Sequence, residues 1–166
     1  IKDLGYDTFE NCTSLKTITI PKTSFSIIGG IFKGCINLEK VIINSDIKEC
    51  RINGSGFADC KKLKSIGYEA FTNCYSLTSI TIPSGVTSIG DFAFHFCVAL
   101  EEIILPEKLT SIGETAFYNC TNLTSIRLEN EMRLIGASAF SNCSALESVT
   151  LGNNVSSIGG SAFIGC

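Results

Sequence analysis

Nine cysteines and one histidine are the residues on which metal or nucleophilic chemistry would draw in this 166-residue chain. Eight of the cysteines, Cys12, Cys35, Cys60, Cys74, Cys97, Cys120, Cys143 and Cys166, follow one another at intervals of 23, 25, 14, 23, 23, 23 and 23 along the chain. One cysteine per period supplies no C-x-x-C pair and no nearby histidine, so a tetrahedral zinc set does not assemble. Stacked at the roughly 4.8 Å separation of neighbouring strands, with parallel side-chain vectors, their Cβ atoms also stay farther apart than the roughly 3.5–4.5 Å a disulfide needs. The remaining expectation is a column of buried free thiols, each packing as a small hydrophobe. Cys50 falls in a two-residue insertion between Ile47 and Ile52 and matches no column, so it reads as a loop cysteine, with partial exposure and reactivity as the sharper alternative.

The histidine, His95, occupies a slot filled elsewhere by Lys33, Thr72, Tyr118, Ser141 and Ile164, a variety that reads as an exposed, unconstrained position. Serine- or cysteine-type catalysis would require a nucleophile and an orienting group beside it, and the pattern supplies neither. Glu101 and Glu102 are adjacent, so on a strand their carboxylates point to opposite faces and cannot share an acid/base role. No catalytic residue, metal site or cofactor is expected.

The elements that position these residues follow from the columns around the cysteines. Three residues before each periodic cysteine stands a phenylalanine, from Phe9 to Phe163, and eight before it stands Leu4 or an isoleucine, followed by glycine in six of eight cases. Three residues after it comes leucine wherever another repeat follows. A fixed period in this range signals a solenoid. In the unit from Leu77 to Cys97, LTSITIPSGVTSIGDFAFHFC, the L-x-x-I-x-I part alternates as a strand does and stops at Pro83, which has no amide to donate. Val86 to Ile89 predicts a short extended segment on the opposite side of the coil, and Asp91 to Cys97 predicts one helical turn with Phe94 and Cys97 pointing inward. The expected fold is a mainly β, right-handed leucine-rich-repeat-type solenoid with a parallel sheet, spanning residues 1–166 as one array of about eight coils, irregular at 44–71 and about 40 Å long. Ile1 and Cys166 enter and leave the pattern without a polar capping unit, so the expectation is a piece of a longer solenoid.

Composition narrows the function classes. A 45% hydrophobic content supports a continuous core, and a net charge of −3 from 13 basic and 16 acidic residues leaves no basic stripe for nucleic-acid phosphates. No apolar run of roughly 20 residues is present, so no membrane insertion is expected within this segment. The string I-G-x-x-A-F-x-N-C-x-x-L-x-x-I-x-L-P, carried up to its final proline by Ile112-Gly113, Ala116-Phe117, Asn119-Cys120, Leu123, Ile126 and Leu128, closely resembles the BspA-like leucine-rich repeat family. The resemblance covers nearly the whole chain; Asn44 and Glu129 in the proline slot, the longer repeat that ends at Cys60 and the short repeat from Cys60 to Cys74 depart from it. It implies a large surface or secreted protein associated with adhesion, and a family without catalytic residues.

On this reading the outward residues of the main strands are the binding face: Thr19, Ile42, Thr81, Ile104, Arg127 and Thr150, with Glu102 in the neighbouring outward column; a solvated, non-binding sheet face is the equal alternative. The expected partner is a protein or a glycan, and the expected location is the cell surface or outside the cell. The competing reading is a structural spacer or scaffold, intracellular and cytoskeleton-associated in a protist, with its thiols reduced. N-x-S/T sequences begin at Asn11, Asn53, Asn119, Asn122, Asn142 and Asn154. In a eukaryotic secretory protein some of these accept glycans, but a turn or side-chain cap is the stronger explanation of Asn11, Asn119 and Asn142, because each directly precedes a columnar cysteine. In the short repeat Ile66 fits two columns at once, that of Ile80 and that of Ile89, and the solenoid is expected to be dislocated there.

Overall fold

The computed structural model describes residues 8–20, 26–28, 37, 40–43, 49–51, 63, 65–68, 70–72, 74–75, 77–128 and 131–166. They form short parallel strands on two walls of a coil, joined on a third side by a wall of turns. The first wall holds the L-x-x-I strands β1 (Thr17–Ile20), β3 (Lys40–Ile43), β6 (Ser79–Thr81), β8 (Glu102–Ile104), β10 (Ser125–Leu128) and β12 (Ser148–Leu151). The second holds β2 (Ser26–Ile28), β4 (Glu49–Arg51), β5 (Ser65–Ile66), β7 (Ser88–Ile89), β9 (Ser111–Ile112), β11 (Leu134–Ile135) and β13 (Ser157–Ile158).

The longest continuous sheet lies on the second wall, where β5, β7, β9, β11 and β13 run parallel as five very short strands. Ile66, Ile89, Ile112, Ile135 and Ile158 are directly in register. The glycine after each isoleucine extends this ladder: the amides of Gly113 and Gly136 donate to the carbonyls of Ile89 and Ile112, both at 2.9 Å. Coils approach so closely here that a Cβ on Gly136 would lie 2.5 Å from the backbone at Gly113 and Glu114, so only glycine fits. On the first wall, among the described residues, the strands pair only two by two, as β1 with β3, β6 with β8 and β10 with β12.

Two register questions are settled by the second wall. Ile66 pairs with Ile89, so in the short repeat it lines this wall and not the column of Ile80. No strand pairing joins β3 to β6 among the described residues, and Phe57, whose distance from Phe71 would measure the dislocation, lies outside them. Cys50 stands opposite Ile27, which corrects its assignment to an insertion. The two are separated by one regular period, so the added residues of that repeat come after Cys50.

The third wall corrects the expected helical turn. In Asp91 to Cys97 the amides of His95 and Cys97 reach back to the carbonyls of Phe92 and Phe94, both at 3.1 Å. The alternate amides of Phe92, Phe94 and Phe96 leave the segment and donate to the carbonyls of Glu114, Ala116 and Tyr118 in the next coil, at 2.9, 2.7 and 2.9 Å. Positive φ at Phe92 (56°) and Phe96 (58°) takes the segment out of the right-handed region at both ends, which a helix does not allow. Neighbouring coils are therefore hydrogen-bonded along this side too.

All three walls aim their apolar side chains at one core. Phe71, Phe94, Phe117, Phe140 and Phe163 stack with ring centroids 5.0 to 5.2 Å apart and planes within 11° of parallel. Beside them run buried columns of Cys74, Cys97, Cys120 and Cys143, of Leu77, Leu100 and Leu123, and of Ile80, Ile103 and Ile126.

Candidate functional site

The cysteine column is buried in its middle and open at its described ends, with Cys12 half-buried and Cys166 exposed. Cys74, Cys97, Cys120 and Cys143 are buried free thiols. The Sγ atoms of Cys97, Cys120 and Cys143 donate to the carbonyls of Phe71, Phe94 and Phe117, one coil back, at 3.1, 3.3 and 3.2 Å. Burial pushes the Cys120 thiol well above its ordinary range, which keeps it neutral and a poor nucleophile, while the hydrogen bond with Cys120 lowers the Cys143 thiol against the opposing effect of burial. Among the described residues no three His, Cys, Asp or Glu side chains converge as metal ligands. No helix among them is long and apolar enough to cross a membrane.

The outward column of the first wall is brought together as pairs rather than as one ladder. Thr19 is opposite Ile42, Thr81 opposite Ile104, and Arg127 opposite Thr150. Glu102 is opposite Ser79, on the same strand β8 as Ile104. Thr19, Glu102, Ile104, Arg127 and Thr150 are exposed and Thr81 is half-buried, while Ile42 is placed by its backbone register alone. Ile104 is 53% exposed in a column that holds threonine or arginine at Thr19, Thr81, Arg127 and Thr150 and a second isoleucine at Ile42.

The turn wall carries a surface that column reasoning missed. His95 is half-buried, not unconstrained: its ring lies 5.5 Å from Phe92, 4.4 Å from Phe96 and 5.2 Å from Tyr118. Phe96 also meets Tyr118 at 5.6 Å, and Phe92 meets Tyr68 at 5.7 Å. The variety of residue types in the His95 column signalled exposure only because the neighbouring columns were read separately. In the same column Ser141 is 4% exposed. Scanning across columns, the run FAFHFC beside Tyr118 is the signal that was available.

The residue types on a shared backbone geometry set this cluster apart. Positive φ recurs at two slots of the turn, the first holding Phe92, Thr115, Ser138 and Ser161, and the second, directly before the cysteine, holding Asn11, Phe96, Asn119, Asn142 and Gly165. Asparagine and glycine tolerate that conformation, which is the physical reason asparagine precedes the cysteine. For a bulky residue it costs on the order of 1–3 kcal/mol.

Comparison with known proteins places the whole pattern. The sequence matches the BspA type leucine-rich repeat region in six copies, over residues 1–68 and 64–166. Among solved structures, a leucine-rich cell surface protein of Faecalibacterium prausnitzii is 34% identical, over 90% of this chain and 42% of its own, with a TM-score of 0.48. The leucine-rich repeat protein of T. pallidum is 29% identical, over 80% of this chain and 57% of its own, at a TM-score of 0.53. The pneumococcal vaccine antigen PcpA is 18% identical, over 92% of this chain and 55% of its own, with a TM-score of 0.58. The chain thus spans roughly half the length of these relatives. A comparison with curated protein sequences gives no significant match. With its six matched copies covering the chain from end to end and its parallel coil of short strands, this protein belongs to the BspA-type leucine-rich repeat family.

Proposed function

We propose that this chain is a non-catalytic binding module of a cell-surface or secreted protein, holding a protein or glycan partner on the outward face of its first wall. The observation that carries the reading is Ile104. A solvated strand face needs no apolar side chain there: Thr19, Thr81, Arg127 and Thr150 fill the same column without one, and Ile42 is the second isoleucine in it. A half-exposed isoleucine beside Glu102 and Thr81 has the make-up of an interface anchor within a polar rim. The surface location rests on the family, whose members are typically large surface or secreted proteins.

The test is surface plasmon resonance of the purified chain against immobilised extracellular-matrix proteins and a glycan array, alongside Ile104→Asp. The expected outcome is binding to one class, weakened about tenfold or more by the substitution. Binding that the variant leaves unchanged removes this face from consideration, and no binding to either class supports a spacer instead.

A further inference from the structure

We propose that the aromatic cluster on the turn wall is a second binding surface, separate from the strand face, and that it takes an arginine-bearing segment of a partner polypeptide. The cluster comprises Tyr68, Phe92, His95, Phe96 and Tyr118, which form a chain of ring contacts with centroids 4.4 to 5.7 Å apart across three successive coils. It lies outside the core: Tyr68 is 63% exposed and the other four are half-buried.

The coil does not need these rings. The same turns, with the same positive φ, are built at Ser138 and Asn142 and at Ser161 and Gly165, with no aromatic residue at either position. The buried Phe column beneath runs unchanged through all of them. Phe92 and Phe96 therefore stand in a conformation unfavourable to bulky side chains, at positions where polar residues suffice. Contacts among the rings offset part of that cost, but the coil is built without them elsewhere, which points to a use at the surface.

Charge selects the partner. The turn segments 68–74, 91–97 and 114–120 contain Glu69, Asp91 and Glu114 and no lysine or arginine. Asp91 and Glu114 are exposed next to the rings, and the Asp91 carboxylate accepts the Glu114 amide at 2.8 Å, which fixes it at the edge of the cluster. Aromatic faces with adjoining carboxylates attract a planar cation, and guanidinium stacks on rings while pairing with carboxylates. A neutral sugar gains nothing from that charge.

The experiment titrates the purified chain with acetyl-Gly-Arg-Gly-Arg-Gly-amide, followed by NMR of the His95 and Tyr118 ring signals. The same peptide with citrulline in place of arginine, and cellohexaose, are run in parallel. Arginine peptide binding is expected to perturb both rings, to fall with added salt, and to weaken about tenfold with citrulline. Phe92→Ser with Phe96→Asn, which installs residue types of the sister coils, is expected to abolish binding and keep the fold, and Tyr68→Ser to weaken binding. Equal binding of the citrulline peptide, undiminished binding by the variants, or cellohexaose binding at these rings in place of the peptide overturns the proposal. Failure of the double variant to fold overturns it as well, because the rings would then be holding the coil. Ile104→Asp should leave peptide binding intact, so failure of the strand-face reading and failure of this one are separately visible.

Discussion

The turn segments 91–97 and 137–143 have the same backbone and the same interior, yet one is covered with aromatic rings and the other with serine and asparagine. Both place Ala, Phe and Cys inward, and both carry positive φ at the same two slots, Phe92 and Phe96 in one and Ser138 and Asn142 in the other. Both donate alternate amides to the following coil. The repeat thus fixes the path of the chain from the inside, through stacked rings and inter-coil hydrogen bonds. The outside is released to vary, and where it departs from the residue types the backbone prefers, the departure carries information.

The comparison breaks first at the core. Phe117→Ala removes a ring stacked on both sides and should cost about 3–5 kcal/mol, and Phe94→Ala and Phe140→Ala should cost about as much. Urea unfolding of the three variants checks this; a loss at Phe94 well below the other two would mean that the aromatic coil is packed differently inside. Next in size is the close approach on the second wall. Gly136→Ala drives a methyl group into the backbone of the preceding coil and should cost about 1–3 kcal/mol or open the ladder, seen as faster amide exchange at Gly136 and Ile135.

The exterior predictions are smaller. Asn142→Ala puts a residue without αL tolerance at φ 60° and should destabilise by about 1 kcal/mol, while Phe96→Asn, at the matching position, should be neutral or stabilising. Thermal unfolding of both variants sharpens the contrast, and a loss at Phe96→Asn larger than that at Asn142→Ala would reverse it. His95→Ala loses edge and stacked contacts with three rings and should cost about 0.5–1 kcal/mol, more than an exposed slot would. Smallest of all, Thr150→Ala on the exposed strand face should change the stability measured by urea unfolding by less than about 0.5 kcal/mol.

The period, the inward columns and the burial of the central thiols are legible in the sequence. Each of these recurs once per repeat, and a solenoid converts repetition along the chain into contact between neighbours. The sequence also located the asparagine turns, since a residue type enriched at one slot reports a backbone requirement there. Three things were decided only in three dimensions, because each depends on a neighbouring coil. The Asp91 to Cys97 segment is not helical because its alternate amides find carbonyls in the next coil, as Phe92 finds Glu114, and a local reading of Phe94 and Cys97 cannot see those acceptors. Cys50 and Ile66 take their places from the strands beside them, Ile27 and Ile89, and not from their distance to the next cysteine. His95 looked unconstrained within its own column, but its surroundings come from Phe92 and Phe96 in its own turn and from Tyr118 in the next. A column lists what is equivalent along the solenoid; what is adjacent across it is set by the stacking of the coils.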